Sequence, residues 1–126
     1  MCENGDVKLD SDDIPMIFWD GKWSRICGHY FWDNNIGATM FCKKLNYDSG
    51  TILESKYHSA KPGFWIGQCL HGDKFPYCTG RCSDMFGKIG GRCSTGFLGI
   101  GSICDVKDHK VAAVKCYGRN GKPSKC

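Results

Sequence analysis

Hydrophobic and polar residues alternate near the start of the chain, a pattern typical of strands with one buried face. Val7 and Leu9 are separated by Lys8 and followed by Asp10, so that apolar side chains would project to one side and charged ones to the other. This alternation predicts an edge strand over residues 5–10.

Two further apolar runs predict a β-hairpin. They extend from Ile14 to Phe18 and from Lys22 to Cys27, and Asp20-Gly21 stands between them. Asp-Gly suits a two-residue hairpin turn because both central residues must accept positive φ. Trp19 and Trp23 flank this predicted turn.

A change to helical spacing follows the hairpin. Asp33 is in a suitable position to be the N-cap of a helix of about twelve residues. Lys43 and Lys44 would lie in the last turn, where positive charge suits the helix dipole, and Asn46 would end the helix in the left-handed region. The residues that recur at core-facing spacing are Ala38, Phe41, Cys42 and Leu45.

The remaining chain carries weaker periodicity. Residues 48–63 are polar and aperiodic, and we expect a long loop there. A short strand is predicted from Phe64 to Cys69, and a final buried strand from Val111 to Cys116. Residues 70–103 are rich in glycine and cysteine, which predicts loops held by cross-links rather than by periodic burial.

Cysteine content decides the broad class of protein. Ten of 126 residues are cysteine, an even number, and sixteen are aromatic, so a cross-linked fold with a true core is expected. The sequence lacks the ligand spacing of zinc sites. Cys78-x3-Cys82 comes nearest, and no second closely spaced pair of ligands accompanies it. These features favour a secreted protein. Cys2 directly follows Met1, which favours a mature segment with an added start methionine.

Length and charge limit the organisation further. At 14.0 kDa, residues 1–126 are expected to form one domain, and no run is apolar and long enough for membrane insertion. Charge is unevenly distributed: residues 1–20 carry a net −5 and residues 85–126 a net +6. This asymmetry either steers acidic partners to one end or reflects solvated surfaces that lie close together in the fold.

Several segments, in order, resemble scavenger receptor cysteine-rich domains. The run from Ile14 to Cys27 is similar to the family's R-V-E-V-x-x-x-G-x-W-G-T-V-C, and Val7-Lys8-Leu9 to the strand before it. Ala38 to Tyr47 resembles the helix A-x-V-V-C-R-Q-L-G-Y. Cys69 to Cys78 and Cys104 to Cys116 are similar to the family's later motifs, with a one-residue deletion and a two-residue insertion. The likeness covers residues 7–116.

The resemblance implies a fold and a disulfide map. The fold would be α+β: a small disulfide-rich domain with a curved antiparallel sheet cradling one α-helix, and long cross-linked loops. The pairs implied by position are Cys27–Cys104, Cys42–Cys116 and Cys69–Cys78. Tyr47 stands where the eight-cysteine variety has a cysteine, so the chain resembles the six-cysteine variety with four additions. We expect Cys82 to pair with Cys93 within one loop, and Cys2 with Cys126 at the termini.

Metal binding and catalysis are both disfavoured. Some family members bind a divalent cation through acidic pairs, but Gly28-His29 and Gly67-Gln68 stand at those positions here. The remaining candidates, namely Asp33, Asp73, Asp105 and Asp108, are too few for a strong site, so we expect no metal and no cofactor. A catalytic Cys–His pair needs a free thiolate, which a complete disulfide set would not leave. The sequence therefore predicts a protein that is not an enzyme.

Basic residues in the last third are the best candidates for ligand binding. Arginine in a constrained loop presents a planar fork that matches sulfate, phosphate or carboxylate. The residues predicted to bind are Arg81, Arg92, Lys107 and Lys110. Trp65 matches a family tryptophan and is expected in the core, and either Phe31 or Trp32 is expected to pack over the helix start.

These features together predict a monomeric extracellular protein with a binding function, as in scavenger-receptor-like recognition, adhesion or innate immunity. Its partner would be an extracellular protein or an anionic polymer, and not nucleic acid. Two alternatives remain open at this point: a structural component of the extracellular matrix, or a small secreted effector or toxin that acts on a receptor.

Overall fold

The computed structural model describes residues 2–28, 30–53, 63–83, 88–89, 100–102 and 111–118. These residues form short antiparallel strands and one α-helix, α1 (Ile36–Lys44). The strands are β1 (Val7–Leu9), β2 (Pro15–Trp19), β3 (Lys22–Arg25), β4 (Ser49–Leu53), β5 (Gly63–Phe64), β6 (Arg81–Ser83), β7 (Lys88–Ile89), β8 (Ile100–Ser102) and β9 (Ala113–Tyr117). The fold class is confirmed: this is a small disulfide-rich α+β domain.

The predicted edge strand and hairpin are both present in a three-stranded sheet of order β1-β2-β3. Asp20 and Gly21 have φ of 49° and 79°, as a hairpin turn with two left-handed residues requires. In the register of the sheet, Ile17 lies between Val7 and Ser24, and all three side chains are buried. One face of the sheet is therefore fixed against the core.

The helix begins later than predicted, and Asp33 is not its cap. Residues 31–33 form a 3₁₀ turn, because Phe31 turns inward and is fully buried. The chain is extended at Asn34, whose side-chain oxygen accepts a hydrogen bond from the Ile36 amide at 2.9 Å. The end of the helix agrees with prediction, since Asn46 has a φ of 70°.

The start of the predicted 48–63 loop is instead strand β4, which pairs with β9. Side chains of α1 and its N-cap form hydrogen bonds with the backbone of β4. The Ile52 amide donates to the Asn35 side chain at 2.9 Å, and Thr39 Oγ1 donates to the Gly50 carbonyl at 2.9 Å. Because these partners are distant in sequence, local periodicity gave no sign of the strand.

Gly50 allows helix and strand to approach closely. A Cβ at this position would lie 2.7 Å from the Ala38 carbonyl oxygen and would also collide with Cys42 Sγ. Beside it, Cys42 forms a disulfide with Cys116, with the two Cα atoms 5.5 Å apart. Helix and final strand are thus joined covalently at a place where no side chain fits.

The strand predicted from Phe64 to Cys69 is wrong beyond its first residue, because β5 covers only Gly63–Phe64. Gly67 lies in the following irregular segment, with a φ of 75°. The region predicted as loop at 70–103 contains β6 paired with β7, and β8 paired with β5. Trp65 is buried, as predicted, in a small cluster with Ile14, Cys27 and Val111. Phe31 packs against Gly37 at the helix start, which confirms the other aromatic prediction.

The disulfide map is partly within the described residues. Cys42–Cys116 and Cys69–Cys78 are both formed, and both are pairs that the resemblance implies. Cys2 and Cys27 are also disulfide-bonded. The predicted pairs Cys27–Cys104, Cys82–Cys93 and Cys2–Cys126 each involve a side chain outside what the structure describes.

Candidate ligand-binding site

Arg81 is the member of the predicted basic site that the structure describes. It is exposed and begins strand β6, directly after a closed loop. Three hydrogen bonds hold its backbone region to Gln68: the Gln68 amide donates to the Arg81 carbonyl at 2.7 Å, the Gly80 amide to the Gln68 carbonyl at 2.9 Å, and the Arg81 amide to Gln68 Oε1 at 3.3 Å. The position of its Cα is therefore well determined.

The side chain of Arg81 is also held. Its guanidinium carbon lies 4.5 Å from the centre of the Tyr30 ring. Tyr30 is only 7% exposed, so the ring is a fixed support for the cation. The planar face of a guanidinium stacks on an aromatic ring, while the N–H groups along its edge donate hydrogen bonds. A ligand anion is bound at such a position with less loss of side-chain entropy than at a freely moving arginine.

The loop before Arg81 is closed by the Cys69–Cys78 disulfide and organised by Asp73. The Asp73 carboxylate accepts hydrogen bonds from the amides of Leu70 and Thr79, at 2.8 and 2.9 Å, and from the Thr79 hydroxyl at 2.7 Å. Partial burial acts to raise the pKa of Asp73, but these hydrogen bonds outweigh it and bring the pKa below its ordinary value of 3.8.

Replacing Asp73 with asparagine is expected to reduce the free energy of unfolding by about 1 kcal/mol at neutral pH, because asparagine offers one acceptor oxygen where the carboxylate uses two. A group with a lowered folded-state pKa stabilises the fold above its unfolded pKa and loses this effect as pH falls through the folded pKa. The difference between wild type and Asp73→Asn should therefore disappear in acid. Urea unfolding at a series of pH values measures it.

The control for this experiment is Asp20→Asn. Asp20 is exposed in the hairpin turn, where asparagine is equally suited to positive φ. Its replacement should leave stability within about 0.5 kcal/mol of wild type. If Asp73→Asn and wild type differ equally at neutral and acidic pH, the carboxylate hydrogen bonds do not stabilise the loop.

The other predicted basic residues, Arg92, Lys107 and Lys110, lie outside the described residues. Lys115, on β9, is described and exposed, and its ammonium nitrogen lies 5.5 Å from the centre of the Tyr117 ring. Arg81 is therefore the residue from which the geometry of the site can be derived.

Candidate metal ligands are separated or already engaged. Both oxygens of Asp73 accept hydrogen bonds within its own loop, and Asp33 lies in the 3₁₀ turn. Across the part of the chain that the structure describes, no three acidic, histidine or cysteine side chains converge in the way a metal ion requires. Asp105 and Asp108 lie outside it.

Sequence reasoning missed the residues that hold Arg81. Tyr30 is 51 positions away in sequence, and its φ of 65° is unusual for a tyrosine and is not predicted by local sequence. Gln68 stands at a position where some members of the resembling family have an acidic residue, and the sequence gives no other sign of its role. In the structure Gln68 forms hydrogen bonds with the backbone of Gly80 and Arg81, and a single sequence does not reveal this pairing.

No protein-family model matches the chain, and no curated protein matches it. Among solved structures, it is similar to the SRCR domain of mouse MARCO in its dimeric crystal form, with 22% sequence identity over 82% of this chain and 83% of that one. The TM-score of 0.46 is too low to assign a family or a function. In the described part of the chain, no helix has the length and apolar character needed to cross a membrane.

Proposed function

We propose that the protein is an extracellular, non-catalytic binding domain that recognises an anionic polymer, or an acidic protein surface, through Arg81, Arg92, Lys107 and Lys110. The observation that carries this proposal is the support of Arg81 by the Tyr30 ring, 4.5 Å away, together with the hydrogen bonds to Gln68. A guanidinium held in this way is ready to bind sulfate or carboxylate groups.

Disulfide content supports an oxidising compartment. Cys42, Cys69 and Cys78 are each at most 1% exposed and are all cross-linked. Six of the ten cysteines are disulfide-bonded within the described residues. Bonds of this kind form and persist outside the cytosol, in secreted proteins above all.

The same bonds support a non-catalytic role. Thiolate chemistry requires a free cysteine, and Cys2, Cys27, Cys42, Cys69, Cys78 and Cys116 are all oxidised. Asp73, the acid with a lowered pKa, has its carboxylate engaged by Leu70 and Thr79 in holding a loop. Its altered pKa therefore has a structural cause, and the positively charged surface remains the feature best suited to a function.

Binding to dextran sulfate, with neutral dextran as the control, tests this function. We expect saturable binding to dextran sulfate alone. If about four cations are engaged, affinity should fall about a hundredfold between about 50 and 200 mM salt, because bound cations release counterions from the polymer. Binding of both polymers, or of neither, would contradict the proposal.

Two other outcomes would identify the alternative functions. Reversible or insoluble self-association without polymer binding would indicate a structural matrix component. Salt-insensitive binding to a single cell-surface protein would indicate a secreted effector. A glycan and protein array probed with the folded protein distinguishes the two and defines the ligand class.

A further inference from the structure

The three-stranded sheet has a second face that the core does not use. Val7, Ile17 and Ser24 are buried on the inner face. Because side chains alternate along a strand, the outer face carries Met16 and Phe18 from β2 and Trp23 from β3. All three are only partly buried, and none belongs to, or packs against, the two core clusters of the described residues.

Met16 pairs with Lys8 on one side and with Arg25 on the other. The same face of the sheet, here called the outer face, therefore carries Lys8, Met16, Phe18, Trp23 and Arg25. Phe18 and Trp23 are directly paired across the strands and pack edge-to-face, with ring centres 5.4 Å apart. The ammonium group of Lys8 lies 4.3 Å from the centre of the Trp23 ring. Apolar side chains that remain partly exposed together on a soluble protein can mark an interaction site.

The segment that contains the outer face is acidic. Residues 2–25 contain six acids (Glu3, Asp6, Asp10, Asp12, Asp13 and Asp20) against three bases (Lys8, Lys22 and Arg25), a net charge of −3. Arg25 is held by Asp10, with Nη2 to Oδ2 at 2.9 Å, and lies 3.8 Å from Asp12. One of the three cations is thus paired with carboxylates, and residues 2–25 as a whole keep a net negative charge.

We propose that the outer face binds a basic segment of a partner protein in which lysine or arginine alternates with apolar side chains. The aromatic rings would receive both kinds of side chain: apolar groups against the ring edges, and a cation over the face of Trp23. The net negative charge of residues 2–25 would attract such a segment and repel an acidic one. This proposal uses residues other than those of the proposed function and does not depend on it.

Lys8 gives the proposal a distinctive consequence. Its ammonium group already occupies the position over Trp23 that a partner's cation would take. Removal of this charge exposes the ring face and makes the surface more negative. A basic partner should therefore bind more tightly after Lys8→Gln, whereas substitutions that remove a side chain from a binding site usually weaken binding.

The probe is a synthetic peptide that alternates arginine and leucine, measured by titration calorimetry against the folded protein. We expect Phe18→Thr or Trp23→Thr to weaken binding about tenfold, and Lys8→Gln to strengthen it about threefold. Asp12→Asn with Asp20→Asn should weaken it about fivefold. Threonine is suited to strands, so the sheet should be retained.

Matched controls isolate the surface. Tyr117→Thr removes an exposed aromatic residue from strand β9, and Asp48→Asn removes an exposed acid outside the three-stranded sheet; neither should change peptide affinity. Dextran sulfate binding should be the same for wild type and Trp23→Thr, which separates this proposal from the proposed function.

Three results would overturn the proposal. The first is no binding of the arginine–leucine peptide at millimolar concentration. The second is equal binding of a glutamate–leucine peptide. The third is unchanged affinity after both Phe18→Thr and Trp23→Thr in protein whose near-ultraviolet circular dichroism and disulfide map show that it is folded.

Discussion

Replacing Cys42 and Cys116 together with alanine is expected to lower the free energy of unfolding by about 4.5 kcal/mol. The bond closes a loop with a sequence separation of 74 residues. Its loss restores chain entropy to the unfolded state, which at 25 °C lowers the free energy of that state by about 4.5 kcal/mol. It also joins α1 to β9 next to Gly50 of β4, where a Cβ would collide with the helix. Since small domains have only about 5–15 kcal/mol of stability, the variant should lose between about a third and nearly all of it.

The matched control is the double replacement of Cys69 and Cys78. Their separation is nine residues, so the same entropy model gives a loss of about 2.7 kcal/mol. The hydrogen bonds to Asp73 should continue to organise that loop. Urea unfolding of both variants measures the difference, and equal losses would show that native strain or contacts, rather than loop length, determine the effect of these bonds.

The elements predicted best are those that local chemistry determines. Asp20-Gly21 produces the hairpin turn because both residues accept positive φ, whatever surrounds them. Asn46 ends the helix for the same reason. The alternation of Val7 and Leu9 with charged residues was sufficient to predict β1, since one of its faces is buried in the core.

The errors occurred where tertiary contacts override local preference. Asp33 is a good helix cap by type, but burial of Phe31 draws residues 31–33 into a separate turn. Strand β4 has no strict alternation, and its edge is satisfied by Asn35 and Thr39 from the helix. Neither interaction is visible in a short window of sequence.

The binding site itself stays a prediction. Arginine in a cross-linked loop indicated Arg81, but Tyr30 and Gln68, which hold it, come from distant segments. The outer face could not be predicted from the sequence, for a different reason. Pro15, Met16, Ile17 and Phe18 are all apolar, so the pattern did not distinguish the buried face of β2 from the exposed one.

Dextran sulfate affinity should depend on where positive charge is placed, and not only on how much there is. Replacing Arg81, Arg92, Lys107 and Lys110 with alanine is expected to lower the affinity at low salt about a hundredfold, at about 0.7 kcal/mol for each charge. Replacement of Lys122 and Lys125 should lower it by no more than about threefold, because neither residue belongs to the proposed binding site.

The most direct measurement compares variants with equal changes in charge. The double variant Arg81→Ala/Arg92→Ala and the double variant Lys122→Ala/Lys125→Ala each remove two positive charges from the protein. Equilibrium binding to dextran sulfate at about 50 mM salt should be weakened about tenfold by the first and hardly at all by the second. Equal weakening by both would show that net charge alone determines binding and would contradict a defined site at Arg81.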